Sequence, residues 1–160
     1  MIEIEVEDPA WIEALPEATA FALAAADAVL TQEVAQGEGL SILLTDDATV
    51  QDLNSRFRKQ DKPTNVLSFP AHRLPENVAS PERFLGDVAL GFGVCAREAA
   101  QQGKPLGDHL QHLVAHGVLH LLGYDHMNDG EAEAMEGLER VVLAGLGVPD
   151  PYSAGEGLND

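Results

Sequence analysis

Five of the six histidines in this 160-residue chain lie between residues 109 and 126. His116 and His120 are four residues apart, a spacing that places two side chains on one face of an α-helix, one turn apart. Gly123 offers a left-handed position at which such a helix ends, and a chain that reverses there returns His126 to the same point. Three neutral imidazoles that leave one position open are the ligand set of a catalytic zinc site. The spacing therefore predicts one zinc-like ion per chain, bound by His116, His120 and His126.

The same offsets match the zincin pattern H-E-x-x-H-x-x-G-x-x-H. Gly117 occupies the position of the glutamate, which is the general base of the metalloproteases. A structural zinc site normally has a fourth protein ligand, usually cysteine, and the motif contains none. The pattern thus favours an open catalytic site without a peptidase base over a structural zinc or a histidine-rich surface helix. We also expect Gly117 to permit a close approach of the backbone.

Four further polar residues are candidates for a role beside the three ligands. His109 and His112 lie on nearly the same helix face as His116, and they are interpreted as exposed helix histidines. Asp125 lies between ligands in the sequence, and we expect its carboxylate to orient a histidine. The general base is not assigned by the motif, and Asp87, at the end of a predicted strand, is one candidate.

Composition is that of one globular domain with a sizeable core, since 45% of the residues are hydrophobic. The single cysteine, Cys95, excludes an internal disulfide, fits a reducing compartment and is interpreted as a buried thiol. No apolar stretch approaches 18 residues, and the acidic N-terminus lacks the basic start of a signal peptide. We therefore expect a cytoplasmic protein that does not enter a membrane.

The charge is strongly asymmetric along the chain. The formal net charge is −18, which argues against broad electrostatic binding of nucleic acid. Residues 1–55 contain no Lys or Arg, whereas Arg56, Arg58, Lys59 and Lys62 fall within seven positions. We expect an anionic substrate to be held by this basic group.

Hydrophobic periodicity predicts four strands and about five helices after an initial helical turn at Pro9. The strands are expected at 2–7, 40–45, 65–70 and 84–92. The helices are expected at 17–36, 46–57, 94–102 and 106–122, with a last helix to about 146. Thr45 or Asp46 is expected to cap the second of these helices, and Asp129 the last. Residues 71–84 are interpreted as a surface loop. The pattern favours an α+β fold, in which a small mixed four-stranded sheet is covered by the helices and 106–122 is a zincin-like metal-binding helix. We expect one catalytic domain, 1–150, and a disordered tail, 151–160.

Three blocks of sequence resemble the YbeY family of bacterial endoribonucleases. The first runs from Leu53-Asn54 through Arg58 to Lys62-Pro-Thr-Asn-Val-Leu-Ser-Phe-Pro70, the second is Leu85-Gly-Asp87, and the third is His116-Gly-Val-Leu-His-Leu-Leu-Gly-Tyr-Asp-His126. The resemblance covers roughly residues 40–152. Many members of the family have Asp where this chain has Asn65.

The resemblance implies a metal-dependent endoribonuclease that cleaves single-stranded RNA. In this family the activity serves late maturation of the 3′ end of 16S ribosomal RNA and ribosome quality control. It implies a zinc-like ion on the three histidines, an essential arginine at Arg58, and the small ribosomal subunit with its proteins as partners. Residues 1–150 would then be a single catalytic metallo-endoribonuclease domain.

The residue types fit cleavage of a phosphodiester. Zinc lowers the pKa of bound water to about 7 and polarises phosphoryl oxygens. The negative charge that develops on the phosphate requires a counter-charge, and Arg58, beside a polar loop, offers a bidentate fork for it. Lys59 and Lys62 are expected to attract RNA at the rim, and Asn65 and Ser68 to hydrogen-bond substrate from a strand edge.

Two other classes of function remain compatible with the sequence. A zinc metallopeptidase fits the metal ligands but lacks the base at Gly117, and the Arg-Lys group suits phosphate better. A non-catalytic ribosome-assembly factor would bind RNA and protein and use zinc to hold its fold. Divalent chelation during RNA cleavage distinguishes the enzyme from the assembly factor, and digestion of casein tests the peptidase.

Overall fold

The computed structural model describes residues 1–35, 38–71 and 84–152. These residues form four strands and six helices in the order β1 (Ile2–Val6), α1 (Ala10–Ala14), α2 (Ala18–Gln32), β2 (Gly39–Thr45), α3 (Asp47–Arg58), β3 (Val66–Pro70), β4 (Phe84–Gly91), α4 (Phe92–Gln102), α5 (Leu106–Leu121) and α6 (Asp129–Gly145). Most of the predicted 71–84 loop and residues 153–160 of the predicted tail lie outside this description. Within it, no helix combines the length and the apolar character needed to cross a bilayer.

The four strands form one mixed sheet in the order β1-β2-β4-β3. Strands β1, β2 and β4 are parallel, and β3 pairs antiparallel with β4. The central position of β2 explains its apolar sequence, because a strand flanked on both sides and covered by helices is buried. Edge strand β1 alternates half-buried isoleucines with exposed glutamates. The predicted α+β class and the mixed four-stranded sheet are confirmed.

Helix α5 lies at the centre of the molecule. It packs against β3 and β4 on one side and against α2, α4 and α6 on the others. As a result, 13 of its 16 residues are buried, including polar residues that an amphipathic helix would expose. This surrounded position determines the environment of every histidine on the helix.

Helix α3 lies at the other face of the sheet. Its Phe57 contacts Phe69 of β3 edge-to-face, with 5.6 Å between ring centres. Around this contact is a groove of about 1140 Å³, lined by residues of all four strands, Asp87 among them, and by the C-terminal half of α3. The sheet therefore separates this groove from the core that contains α5.

Two predicted helix ends differ from the structure. Helix α2 ends at Gln32 rather than at 36, because Val34 takes a left-handed conformation with φ 55°. Helix α6 is capped by Asn128 rather than by Asp129: the Asn128 side chain accepts a hydrogen bond of 2.9 Å from the backbone N–H of Glu131. The predicted cap of α3 is confirmed at Asp46, whose carboxylate accepts from the Thr49 N–H at 2.7 Å.

Candidate metal centre

The end of α5 and the turn after it bring three imidazoles together. Nε2 of His116 and Nε2 of His120 are 3.0 Å apart. Gly123 has φ +104°, the left-handed region that favours glycine, and the chain reverses there. The ring of His126 returns to 5.7 Å from that of His116 and 5.1 Å from that of His120, between centres. One nitrogen from each ring lies within 4.8 Å of the other two, so the spacing predicted from the sequence forms a cluster in space.

The contacts of Nδ1 indicate where two of these rings carry a proton. Nδ1 of His120 lies 2.9 Å from the carbonyl oxygen of Tyr124, so it must carry the proton it donates. Nδ1 of His116 lies 3.5 Å from the carboxylate oxygen Oε1 of Glu139. His120 therefore presents the lone pair of Nε2, as a metal ligand does, and Nε2 of His116 faces the same point.

The cluster has the properties of a divalent cation site. Tetrahedral zinc with bonds of about 2.0–2.1 Å separates its ligand nitrogens by about 3.3 Å, close to the distance between His116 and His120. Nε2 of His126 is buried and has no hydrogen-bond partner among the described residues. Burial and the neighbouring histidines lower the pKa of His120 to about 4, so its imidazole is neutral at pH 7. Among the described residues, the group that could hold an ion here consists of these three histidines. A tetrahedral ion bound by them would keep its fourth coordination position for water or substrate.

Asp125 has a different contact from the one predicted. Its carboxylate accepts the backbone N–H of His126 at 2.8 Å, which stabilises the turn and leaves ring orientation to Glu139 and the Tyr124 carbonyl. Asp87 lies in the groove at the other face of the sheet, where burial raises the pKa of its carboxyl. It does not line the cavity of the three histidines, so its position does not support Asp87 as the general base.

His112 is buried, and its prediction as an exposed helix histidine is wrong. It is 3% exposed, and its Nε2 lies 2.7 Å from Oε1 of Glu139. The hydroxyl of Tyr152 also donates to both oxygens of Glu139, at 3.0 and 3.1 Å. Burial raises the pKa of Glu139, but the hydrogen bond from His112 and the nearby ring of His116 outweigh it and the pKa falls to about 2. A buried carboxylate therefore lies directly behind the ligand His116.

His109 is likewise buried, with 0% exposure, and its predicted exposure is also wrong. Its Nε2 lies 2.9 Å from Oε1 of Glu98, which also accepts from the side-chain amide of Asn65 at 3.0 Å. Burial raises the pKa of Glu98, but these two donors lower it further than burial raises it. The side-chain oxygen of Asn65 accepts from the Val66 N–H at 2.6 Å. Asn65 thus lies at the predicted place, with its amide already in protein hydrogen bonds.

A cavity of about 710 Å³ contains the three histidines and most of the other predicted site residues. Arg58, Lys62, Asn65 and Ser68 all line it, whereas Lys59 is an exposed left-handed C-cap of α3 that does not. The guanidinium of Arg58 donates from Nη2 to the carbonyl oxygen of Ser68 at 2.6 Å. The structure therefore brings two members of the basic group, Arg58 and Lys62, into one cavity with the metal motif, which is far from them in the chain.

Ser68 and Gly117 hold α5 against the sheet. The Ser68 hydroxyl donates to the Gly117 carbonyl at 2.9 Å. A Cβ atom added to Gly117 would lie 2.8 Å from Cγ1 of Val88 and 3.2 Å from the Ser68 hydroxyl oxygen. The predicted close approach at Gly117 is confirmed, and a glutamate there would collide with the sheet.

Three residues of this network were not found from the sequence: Glu98, Glu139 and Tyr152. Glu139 did leave a signal, because it falls between Met135 and Val142 on the apolar stripe of α6, and all three are buried. A carboxylate at a buried helical position requires compensating donors. In a chain that also contains a histidine motif, such a carboxylate predicts a hydrogen bond with one of the histidines.

The chain is similar to known proteins over nearly its whole length. A family profile described as Endoribonuclease YbeY matches residues 5–147. A protein named Endoribonuclease YbeY from Azorhizobium caulinodans is 51% identical over 155 residues, covering 95% of this chain and 96% of its own. One with the same name from Paramagnetospirillum magneticum is 51% identical over 160 residues, with 94% of each chain covered.

The fold has a counterpart among solved structures. A solution structure of a Thermotoga maritima protein superposes with a TM-score of 0.54 at 23% identity, and the match covers 98% of this chain and 97% of that one. At this identity the likeness supports the fold. The sequence matches support more, and by them the chain belongs to the Endoribonuclease YbeY family.

Proposed function

We propose that this protein is a metal-dependent endoribonuclease that acts in ribosomal RNA processing. In the finer form of the proposal the ion is zinc and the substrate is single-stranded RNA at the 3′ end of 16S ribosomal RNA, on the small ribosomal subunit in the cytoplasm. The family supports the RNA chemistry, since the relatives carry the name endoribonuclease. The three-histidine cluster supports the ion.

One observation carries the proposal: a cation site and a guanidinium line the same cavity. Cleavage of a phosphodiester places negative charge on the phosphate, and preorganised positive groups stabilise it. A divalent cation on the three histidines would act as a Lewis acid and activate water. The positive group that the chain itself supplies is the guanidinium of Arg58.

Arg58 is the group we assign to the phosphate. Its Nη2 is held by the Ser68 carbonyl at 2.6 Å, which fixes the orientation of the planar guanidinium. A guanidinium has five N–H donors, so donors remain for two phosphate oxygens in the bidentate manner. Lys62, on the same cavity wall, adds a mobile charge that attracts RNA in a chain of net charge −18.

The test is cleavage of a labelled RNA under single-turnover conditions. We expect the zinc-loaded protein to cleave a single-stranded oligonucleotide and to leave a duplex of the same sequence intact. Chelation should abolish cleavage and added zinc should restore it, whereas His120→Ala should stay inactive with added metal. Cleavage that persists in chelator or in His120→Ala would refute a metal-dependent nuclease.

The same preparation tests the two alternatives. A peptidase would digest casein, and the position of Gly117 against Val88 argues against one because a base cannot be placed there. A non-catalytic assembly factor would bind the RNA and contain zinc without cleaving it. Binding without cleavage by zinc-loaded protein would therefore favour the assembly factor over the enzyme.

A further inference from the structure

Glu139 is a buried anion outside the proposed reaction cavity. Its side chain is 1% exposed, and it is not among the residues that line the cavity of the three histidines. Removing a carboxylate from water costs several kcal/mol unless good hydrogen bonds compensate for it. An apolar residue at this place on α6 would fill the core without that cost. Packing alone therefore does not explain why a carboxylate is buried here.

Three groups of the described residues that can donate a proton face this carboxylate. The ring N–H of His112 lies 2.7 Å away and the Tyr152 hydroxyl 3.0 Å away, and these two fix the position of the carboxylate. The third is Nδ1 of His116, 3.5 Å from Oε1, which is within reach of a charge interaction but longer than a normal hydrogen bond. Two donors thus hold the carboxylate in line with a ligand of the metal cluster.

We propose that Glu139 is the positioning residue for the ligand His116, and that His112 and Tyr152 hold Glu139 in place for that task. The inference rests on the metal site of the proposed function. A carboxylate behind an imidazole keeps the proton on Nδ1, leaves Nε2 free for the ion and raises the basicity of the ligand. A cation on Nε2 increases the positive charge at Nδ1–H, which strengthens its attraction to the carboxylate.

Tyr152 connects this site to the chain beyond the last helix. Its ring lies edge-to-face on His112, with 5.4 Å between centres. The guanidinium of Arg140 lies 5.2 Å from the centre of the same ring and also hydrogen-bonds to Asp150 at 3.2 Å. The segment after α6 is thereby fastened to α6, and the Tyr152 hydroxyl reaches Glu139. The affinity of the site for its cation therefore depends on residue 152.

The experiment measures zinc affinity in the full chain by competition with a chromophoric chelator, and ligand geometry by the visible spectrum after cobalt substitution. Glu139→Gln keeps the shape and removes the charge, and Tyr152→Phe removes only the hydroxyl. Glu139→Asp keeps the charge on a shorter side chain. Glu133→Gln is the matched control, because it makes the same change at an exposed position of α6.

We expect Glu139→Gln to weaken zinc binding about 10–100-fold and to shift the cobalt spectrum. Tyr152→Phe should change the zinc affinity and the cobalt spectrum in the same direction but by less. Glu139→Asp should bind zinc more tightly than Glu139→Gln, and Glu133→Gln should match the unmodified chain. If Glu139→Gln is poorly folded, the Tyr152→Phe result decides. Unchanged affinity and spectrum in variants whose melting temperature alone falls would overturn the positioning role. Failure of the unmodified chain to bind zinc would instead overturn the metal site itself.

Discussion

The two halves of α5 contain the same residue type in two different roles. In the N-terminal half, His109 and His112 each lie within 3 Å of a carboxylate, on Glu98 and Glu139. In the C-terminal half, His116 and His120 turn their Nε2 atoms towards each other. His109, His112 and His116 are all buried, so burial does not distinguish a ligand. What differs is the nitrogen that meets the acceptor. In His109 and His112 it is Nε2, whereas His120 donates from Nδ1 to the Tyr124 carbonyl and keeps the lone pair of Nε2 for a cation.

The largest effect should follow from breaking the C-terminal half. His120→Ala removes one of three ligands, and two imidazoles with an open coordination sphere hold zinc far less tightly than three. We expect bound zinc to fall steeply, with a decline of RNA cleavage in proportion. Elemental analysis of the purified variant is the measurement. One zinc per chain in His120→Ala would refute the three-histidine assignment.

Arg58→Lys should produce the next largest effect, in rate rather than in metal content. A point charge cannot replace a bidentate fork, and loss of one stabiliser of the developing charge typically costs about 10²–10³ in rate. We expect kcat to fall by that factor while zinc content and fold stay unchanged. Single-turnover cleavage at saturating RNA measures it. Cleavage at the unmodified rate would leave Arg58 without a catalytic role.

Arg56→Ala and Lys62→Ala provide the comparison for Arg58→Lys. Arg56 pairs with Asp52 on the exposed side of α3, and Lys62 lines the cavity. Contacts to phosphates affect binding in a salt-dependent way and carry no share of the chemical step. We expect Lys62→Ala to weaken RNA binding and to reduce its salt dependence, and Arg56→Ala to do so less.

The ligand half of α5 was predictable because its information is local. His116, His120, Gly123 and His126 lie within eleven residues, and helix geometry together with one left-handed turn determines their meeting. Strand patterns were also local, and all four strands were found where alternation or apolar runs indicated them. The end of α2 was missed because the reversal occurs at Val34, a residue type that rarely adopts a positive φ.

The supporting half was not predictable because its partners lie on other helices, α4 and α6. His112 meets Glu139 across 27 residues, and His109 meets Glu98 on a neighbouring helix. Whether His109 and His112 are exposed depends on how many helices and strands surround α5. That number follows from the strand order and the helix packing, which the local sequence does not specify. Glu139 is the exception: its position on an apolar helical stripe marked it as buried.

Gly117 lies between the two halves and tests the packing that aligns them. Gly117→Glu places a side chain where a Cβ alone meets Val88 at 2.8 Å, and overpacking of this kind costs typically about 1–3 kcal/mol. We expect a lower melting temperature, reduced RNA cleavage and no hydrolysis of casein. Thermal unfolding and both activity assays measure it. Peptide hydrolysis by the variant alone would reveal a latent protease.

The stability of the metal-free protein should depend on pH through His120, a histidine of the C-terminal half of α5. Its pKa is lowered by burial and by the neighbouring histidines from 6.5 to about 4. Below pH 6.5 the unfolded chain takes up a proton that the folded chain does not, so stability rises with pH in this window. The contribution of His120 is fully present above 6.5 and is lost as the pH falls to about 4. Urea unfolding between pH 7.5 and 4 should show this loss, reduced in His120→Gln. A profile that does not differ between the two proteins would contradict the lowered pKa.

The smallest effect should follow from His109→Gln, and it decides whether the two halves act separately. The amide of the new side chain still offers an N–H to Glu98, so the carboxylate and its bond to Asn65 keep a donor. Changes that preserve hydrogen bonding typically cost less than about 1 kcal/mol, and a buried site adds the cost of imperfect geometry. No described contact joins His109 to the three ligands, whereas His112 reaches His116 through Glu139. Zinc affinity and the cobalt spectrum should therefore match the unmodified chain, with only a small drop in melting temperature. A variant that lost zinc would show that the whole of α5 acts as one unit, and the division between supporting and ligand histidines would not hold.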